Sequence, residues 1–263
     1  MQPGSCVPIL GATRDFAVIA HRGGGKQSPE NTLTAFRKAK VCGFSRFELD
    51  LHRTKDGVLV VHHDFDLADT AGDPRTIAEL AFDEVRRVNV ARKYWRTHAP
   101  EPIPRIEEVL DLLAPGDELY VEVKNEGNPY PGIEKKLVDL LRSRGKEGPA
   151  IVVSSFEHRF LAEIRRLDPD LRLSVLAGDG DFDEAVEMAT RVRAESMSLR
   201  RNRPFPVSLF KPGQASREQL DTVHAAGMRA IVYTVNSRRE ADALRRRGAD
   251  GIFTDDLDLA RGF

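Results

Sequence analysis

Glu48 and Asp50 stand two residues apart in a run, Arg46 to Leu51, whose composition reads as a β-strand. Side chains alternate along a strand, so both carboxylates point to one face, roughly 6.6 Å apart along the backbone, and can converge on one cation. Glu122, at the end of the next strand-like run, can supply a third oxygen. Three hard carboxylates without cysteine suit Mg²⁺ or Ca²⁺ better than zinc or copper. The pair could instead meet lysine or arginine in an ordinary ion pair, but two negative charges turned toward an interior are costly, which tips the reading toward a metal. His21 closes the first strand-like run and His63 follows the Val58 to His62 segment; two histidines at one site can act as general base and general acid. His62 competes with His63 for that part, whereas His52, His98, His158 and His224 read as structural. Arg22 offers a planar donor fork to a phosphate or a partner to one of the carboxylates, and Lys124, on the face of Glu122, could neutralise phosphoryl oxygens or pair with a ligand carboxylate.

These residues need a scaffold that brings strand ends together. Eight short β-prone runs recur: Phe16 to Ala20, Arg46 to Leu51, Leu119 to Lys124, Ala150 to Ser154, Leu171 to Leu176, Glu195 to Leu199, Arg229 to Val235 and Gly251 to Phe253. Between them lie helix-period segments, Thr32 to Lys40, Ile133 to Arg144, Arg159 to Leu167, Ala185 to Val192, Gln219 to Ala226 and Arg239 to Arg246. Asn31 before the first, and Asn236 or Ser237 before the last, are candidate caps; Gly43, Gly145, Gly227 and Gly248 stand where helices should stop. The alternation predicts parallel strands covered by helices, as a (β/α)8 TIM barrel or a doubly wound open sheet, with eight runs favouring the barrel. One connection, about 64–118, is long and should form an insertion between the second and third strands. A helix is expected near Thr76 to Val88, followed by Tyr94, Trp95 and the proline-rich Ala99 to Pro104. This excursion leaves the site's end of the barrel and could wall the pocket.

A chain of 263 residues fits one barrel domain over 1–263. Net charge of −1 gives no electrostatic argument for nucleic acid, and apolar runs such as Phe16 to Ala20 are too short to cross a bilayer. Met1 to Arg14 lacks the pattern of a secretory signal, so a cytoplasmic protein is expected. Cys6 and Cys42 are too few for a disulfide framework and are expected to be inert thiols. The Gly23-Gly24-Gly25 run lacks the Lys-Ser or Lys-Thr of a nucleotide loop and reads as a flexible turn, while Ser154-Ser155 lacks the context of a serine nucleophile.

In order, the chain carries His21-Arg22-Gly23, Pro29-Glu30-Asn31-Thr32, Glu48-x-Asp50, Thr54-x-Asp56-Gly57, His63-Asp64, Val121-Glu122-Val123-Lys124, Ser154-Ser155-Phe156, Tyr233-Thr234-Val235-Asn236 and Gly251 to Asp255. This ordered set resembles the glycerophosphodiester phosphodiesterase family over nearly the whole chain. The resemblance implies a TIM barrel and metal-dependent hydrolysis of a glycerophosphodiester to glycerol 3-phosphate and an alcohol. It also implies Glu48, Asp50 and Glu122 as ligands of one divalent cation, His21 and His63 as acid and base, and Arg22, Lys124 and Tyr233 around the substrate. The family's histidine immediately before aspartate selects His63 over His62. Tyr233 stands where tryptophan is common, Leu257 where proline is usual and Arg105 where threonine is frequent, all at the pocket rim. A lysophospholipase D-like hydrolase on the same scaffold is the alternative; it would need an apolar trough near Tyr94, Trp95 and Phe65. A non-catalytic binding protein would be expected to lack one of these groups.

Overall fold

The computed structural model describes residues 16–94, 98–145, 148–178, 180–201 and 215–260. Eight parallel strands are β1 (Ala17–Ala20), β2 (Arg46–Arg53), β3 (Glu118–Val123), β4 (Ala150–Ser155), β5 (Arg172–Ala177), β6 (Ser196–Arg200), β7 (Arg229–Tyr233) and β8 (Gly251–Thr254). Each pairs with the next, and β8 returns to β1 with Ala17 opposite Gly251 and Ala20 opposite Thr254, closing a (β/α)8 barrel. Closure excludes the open doubly wound sheet. Gly251 permits the last seam to be tight, since a Cβ there would lie 2.6 Å from the Ala17 carbonyl oxygen.

Helices α1 (Leu33–Val41), α2 (Ile106–Leu110), α3 (Ile133–Arg144), α4 (His158–Leu167), α5 (Phe182–Arg191), α6 (Arg217–Ala225) and α7 (Arg238–Arg247) cover the barrel. Period two along each strand sorts the core into two layers. Phe47, Leu49, Leu51, Val121, Val123, Val153, Val175 and Leu199 face outward and join Phe36, Ile133, Phe160 and Ile164 of the helices. Ile19, Tyr120, Val152, Ile231 and Phe253 point inward and fill the barrel's middle. Truncating wholly buried Phe36 to alanine should cost about 3–5 kcal/mol.

The excursion after β2 differs from expectation. A short strand, Leu59–Val61, first folds back antiparallel on Leu51–Arg53. A two-stranded ribbon follows, Asp66–Leu67 with Asp73–Thr76. The helix expected over Thr76 to Val88 is broken into turns at Ile77–Glu79 and Phe82–Val85. Glu79 accepts from the Thr76 N–H and Glu84 from the Ala81 N–H, so two capping carboxylates start two short turns instead of one helix. Val60, Leu67, Ile77, Leu80, Val85, Val90 and Ile103 give this region a core of its own.

Two smaller expectations are also corrected. Thr32, not Asn31, caps α1 by accepting from the Ala35 N–H, whereas α7 starts after Ser237, one of the two residues expected there, with Asn236 turned toward Asp255. The Gly23-Gly24-Gly25 turn is tightly packed: at Gly24, with φ +94°, a Cβ would stand 2.4 Å from the Leu257 side chain. Cys42 is buried at the C-terminal end of α1, whereas Cys6 lies outside the described residues, as do Met1 to Arg14 and Trp95.

Candidate active site

β2 projects Glu48 and Asp50 inward, and the parallel register sets Asp50 beside Glu122 of β3. Lys124 follows two residues later on the same face. Its Nζ reaches Asp50 Oδ1 at 3.0 Å and donates a short hydrogen bond to Glu122. Past β1 the chain enters a single tight turn, His21–Gly23, in which Arg22 adopts the left-handed φ of 53°. That conformation is uncommon for a residue with a Cβ and marks a position held by its surroundings. The Arg22 N–H donates to Glu48 Oε2 at 2.9 Å, Nη1 donates to Glu30 at 3.0 Å, and Nε lies 3.2 Å from Asp50 Oδ2. Asn31, with its own φ of 59°, donates from Nδ2 to Asp50 Oδ2 at 2.8 Å. Arg22 and Lys124 thus both serve as ion-pair partners of the carboxylates while facing the same mouth.

The charges are arranged unevenly. Burial, reinforced by Asp50 and Glu122, pushes the Glu48 carboxyl well above the usual carboxylate range. Burial alone would do the same to Asp50, but Lys124 and Arg22 outweigh it and hold that carboxyl far below the usual range. Lys124 is desolvated too, yet Asp50 and Glu122 keep its ammonium charged above the ordinary lysine range. Glu48 Oε1 and Asp50 Oδ1 are buried and accept no hydrogen bond of good geometry. One oxygen from each of Glu48, Asp50 and Glu122 lies within 4.8 Å of the others. Carboxylate oxygens converging from three side chains fit a hard divalent cation, which prefers such ligands.

Both histidines are held by carboxylates through Nδ1, His21 by Asp255 at 2.6 Å and His63 by Asp64 at 2.7 Å. A carboxylate only accepts, so each Nδ1 carries the proton and each Nε2 is the nitrogen left for proton exchange. His21 Nε2 lies 3.9 Å from Glu48 Oε2. Asn236 donates to Asp255 Oδ2 at 2.7 Å and accepts from the Asp255 N–H, fixing the carboxylate that orients His21. His62 is buried against Thr70 of the excursion, and His52 is buried between Tyr130 and the His63 carbonyl, so neither imidazole competes with His63.

Sequence reasoning brought His21, Arg22, Glu48, Asp50, Glu122 and Lys124 to one place. Tyr233 stands apart at the rim: its hydroxyl donates to the Ala177 carbonyl at 2.9 Å and its ring meets Phe156 edge-on, so it presents an aromatic wall. Asp255 and Asn236 were missed as orienting residues, although both sit in motifs already singled out; their partnership with β1 spans 234 residues and exists only once the barrel closes. Glu30 and Tyr94 were also missed. The Tyr94 hydroxyl donates to the Gly25 carbonyl at 2.7 Å, which ties the excursion to the His21 turn. Phe65 packs edge-on against His52.

A seat for a cation, two imidazoles of fixed tautomer and two permanent cations are the parts that cleavage of a phosphodiester requires, and on a closed (β/α)8 scaffold they define a phosphodiesterase barrel. Comparison with known proteins agrees. Residues 21–259 match the glycerophosphoryl diester phosphodiesterase family, and the chain belongs to it. It is 32% identical over 240 residues to a glycerophosphodiester phosphodiesterase of Caldanaerobacter subterraneus subsp. tengcongensis, covering 91% of this chain and 93% of that one. A Bacillus altitudinis glycerophosphodiester phosphodiesterase is 31% identical over 249 residues, covering 92% and 96%. Among solved structures, an Oleispira antarctica phosphodiesterase in complex with the product sn-glycerol-3-phosphate shares the fold, with a TM-score of 0.74 at 23% identity over 92% of this chain and 94% of that one. Among the described residues no helix is long and apolar enough to cross a membrane.

Proposed function

We propose that this enzyme hydrolyses glycerophosphodiesters to glycerol 3-phosphate and an alcohol, with a divalent cation held by Glu48, Asp50 and Glu122 and with His21 and His63 as the proton-transferring pair. The observation that carries the reading is the convergence of carboxylate oxygens from Glu48, Asp50 and Glu122 beside His21, whose Nε2 lies 3.9 Å from Glu48 Oε2. It is supported by the family relationship, by relatives of over 30% identity that carry this activity in their names, and by the product bound to the Oleispira antarctica phosphodiesterase.

A bound Mg²⁺ or Ca²⁺ would supply Lewis-acid polarisation of the phosphoryl group and ease deprotonation of an oxygen nucleophile. The chain's own residues do the rest. Arg22 and Lys124, both held charged by their acidic neighbours, offset the negative charge that grows on the phosphoryl oxygens. Asp255 and Asp64 fix the imidazole tautomers, so one Nε2 accepts a proton from the attacking hydroxyl and the other donates one to the departing alcohol. The attacking hydroxyl is the glycerol 2-hydroxyl, giving a cyclic phosphate that water then opens. Tyr233 and Phe156 form an aromatic wall to the mouth.

The test is release of glycerol 3-phosphate from glycerophosphocholine by purified protein, first with chelator and then with Mg²⁺ or Ca²⁺ restored. Release that depends on the metal is expected; no release with any metal would sink the reading. A diester lacking the 2-hydroxyl should not be turned over, and an unchanged rate on it would replace the cyclic route by direct attack of water.

A further inference from the structure

Two side-chain hydrogen bonds tie the excursion to the segment that runs from β1 into α1. The Thr34 hydroxyl donates to Glu101, and the Tyr94 hydroxyl donates to the Gly25 carbonyl at 2.7 Å. The first falls on α1, which has its own cap in Thr32 and a wholly buried anchor in Phe36. The second falls on the turn that carries the candidate reacting groups, where no regular element supplies the backbone with partners.

Gly25 is wedged between two carboxylates: a Cβ there would stand 3.3 Å from Glu30 Oε2 and 3.9 Å from Asp255 Oδ1. Glu30 is the acid that receives Arg22 Nη1, and Asp255 Oδ1 is the oxygen that receives His21 Nδ1. The backbone on either side closes on the same residues. The Gly24 N–H donates to the His21 carbonyl at 2.8 Å, the Lys26 N–H to the Asp255 carbonyl at 3.1 Å and the Asn31 N–H to the Arg22 carbonyl at 2.9 Å. The half-buried Tyr94 hydroxyl feels both acids, since burial and then the charges of Glu30 and Asp255 raise it above the ordinary tyrosine range. Arg22 holds a left-handed φ of 53°, a conformation that persists only where the surroundings over-determine it.

Resting on the hydrolytic reading above, we propose that Tyr94 is a positioning residue for the reaction: its hydroxyl, bonded to the Gly25 carbonyl, fixes the turn that sets His21 and Arg22 against the carboxylate cluster. Tyrosine suits the task, because one donor on a ring with two torsions reaches far at little cost in conformational entropy. Without the hydroxyl the Gly25 carbonyl turns to water and the ring keeps its edge-on contact with His98, so the loss falls on placement rather than on folding. Placement matters to rate because proton transfer to or from an imidazole tolerates little error in distance or angle.

The experiment measures kcat and KM on glycerophosphocholine, and amide hydrogen exchange, for the wild type, Tyr94→Phe and Thr34→Val. Tyr94→Phe should lower kcat about tenfold with KM within about twofold, and should speed exchange at Gly24, Lys26 and Asn31 about fivefold, the size of one hydrogen bond, while β3 and β4 keep their protection. Thr34→Val cuts the other tether and should leave kcat within about twofold. In an Asp255→Asn background the added loss from Tyr94→Phe should shrink to under about twofold, because both changes act through the placement of His21. An unchanged kcat in Tyr94→Phe, an equal fall in Thr34→Val, or a rise in KM larger than the fall in kcat overturns the proposal; the last would mean that the hydroxyl touches substrate. If the wild type releases no glycerol 3-phosphate, the hydrolytic reading fails, and exchange at the turn still decides whether Tyr94 holds it, unchanged rates counting against it.

Discussion

Charged side chains occupy both ends of the barrel interior, and the two ends are built on opposite terms. At the end where the strands begin, Arg46, Glu118, Arg172, Glu195 and Arg229 alternate in sign around the opening. Arg46 donates to Glu118 at 3.2 Å, Arg172 to Glu118 and to Glu195 at 2.5 Å each, and Arg229 to Glu195 at 2.6 Å. Each carboxylate oxygen of Glu118 and Glu195 has a donor. At the end where the strands finish, Glu48, Asp50 and Glu122 crowd together, Arg22 and Lys124 are stretched among them, and orphan oxygens remain. The satisfied series of ion pairs ties the strand starts together; the unsatisfied cluster is poised for what it binds. The same period-two alternation produces both, since inward positions along β2 run from Arg46 through Glu48 to Asp50 and along β3 from Glu118 through Tyr120 to Glu122.

Substitutions should separate the two ends. Glu48→Gln removes one of the proposed cation ligands and should lower kcat/KM by about 10³-fold or more, since several kcal/mol of transition-state stabilisation is lost. Because it also removes one of three repelling carboxylates, the melting temperature of the metal-free variant should not fall. A clear fall would mean that the mouth is structural as well, and the contrast would be lost. Asp255→Asn keeps every presumed ligand but loosens His21, and should lower kcat about 10- to 100-fold with little change in KM. A larger change in KM than in kcat would show that Asp255 touches the substrate instead. At the opposite end, Glu118→Gln should destabilise the fold by about 1–3 kcal/mol, read by urea unfolding, with kcat unchanged.

At neutral pH the smallest effect concerns His52, which lies between the two behaviours: buried near the mouth, yet fully partnered, and felt only as the pH falls. Burial lowers its imidazole from about 6.5 to about 3. A base that resists protonation in the folded state loses stability as pH falls, because the unfolded chain takes up the proton first. The loss should run from pH about 6.5 down to about 3, with a slope approaching 1.4 kcal/mol per pH unit. His52→Gln should flatten that slope in urea unfolding across the window, and an identical slope would place the proton uptake elsewhere.

Much of this was legible before any coordinates. The eight strand runs match the observed strands to within a few residues, because alternation over short segments and glycine stops are local signals. Glu48 and Asp50 could be placed on one face by spacing alone, and the ordered motifs pointed to His63 over His62. The expected helix at Thr76 to Val88 failed for a local reason of its own, as the two capping glutamates compete with continuous helix and won at Leu80 and Ala81. Asn31 read as a cap because asparagine is common there, whereas in the structure Asp50 claims its side chain.

By itself, then, the sequence determined the strand periodicity, the facing of the carboxylates and the presence of every group at the mouth. Tertiary structure alone decided which of them meet: that Asp255 holds His21 across the last seam, that Tyr94 of the excursion reaches Gly25, and that five charges at strand starts join into one chain of ion pairs. The physical reason is that a strand's period fixes the side on which a residue lies, while its neighbour across the barrel depends on closure and register, which no local stretch of chain contains.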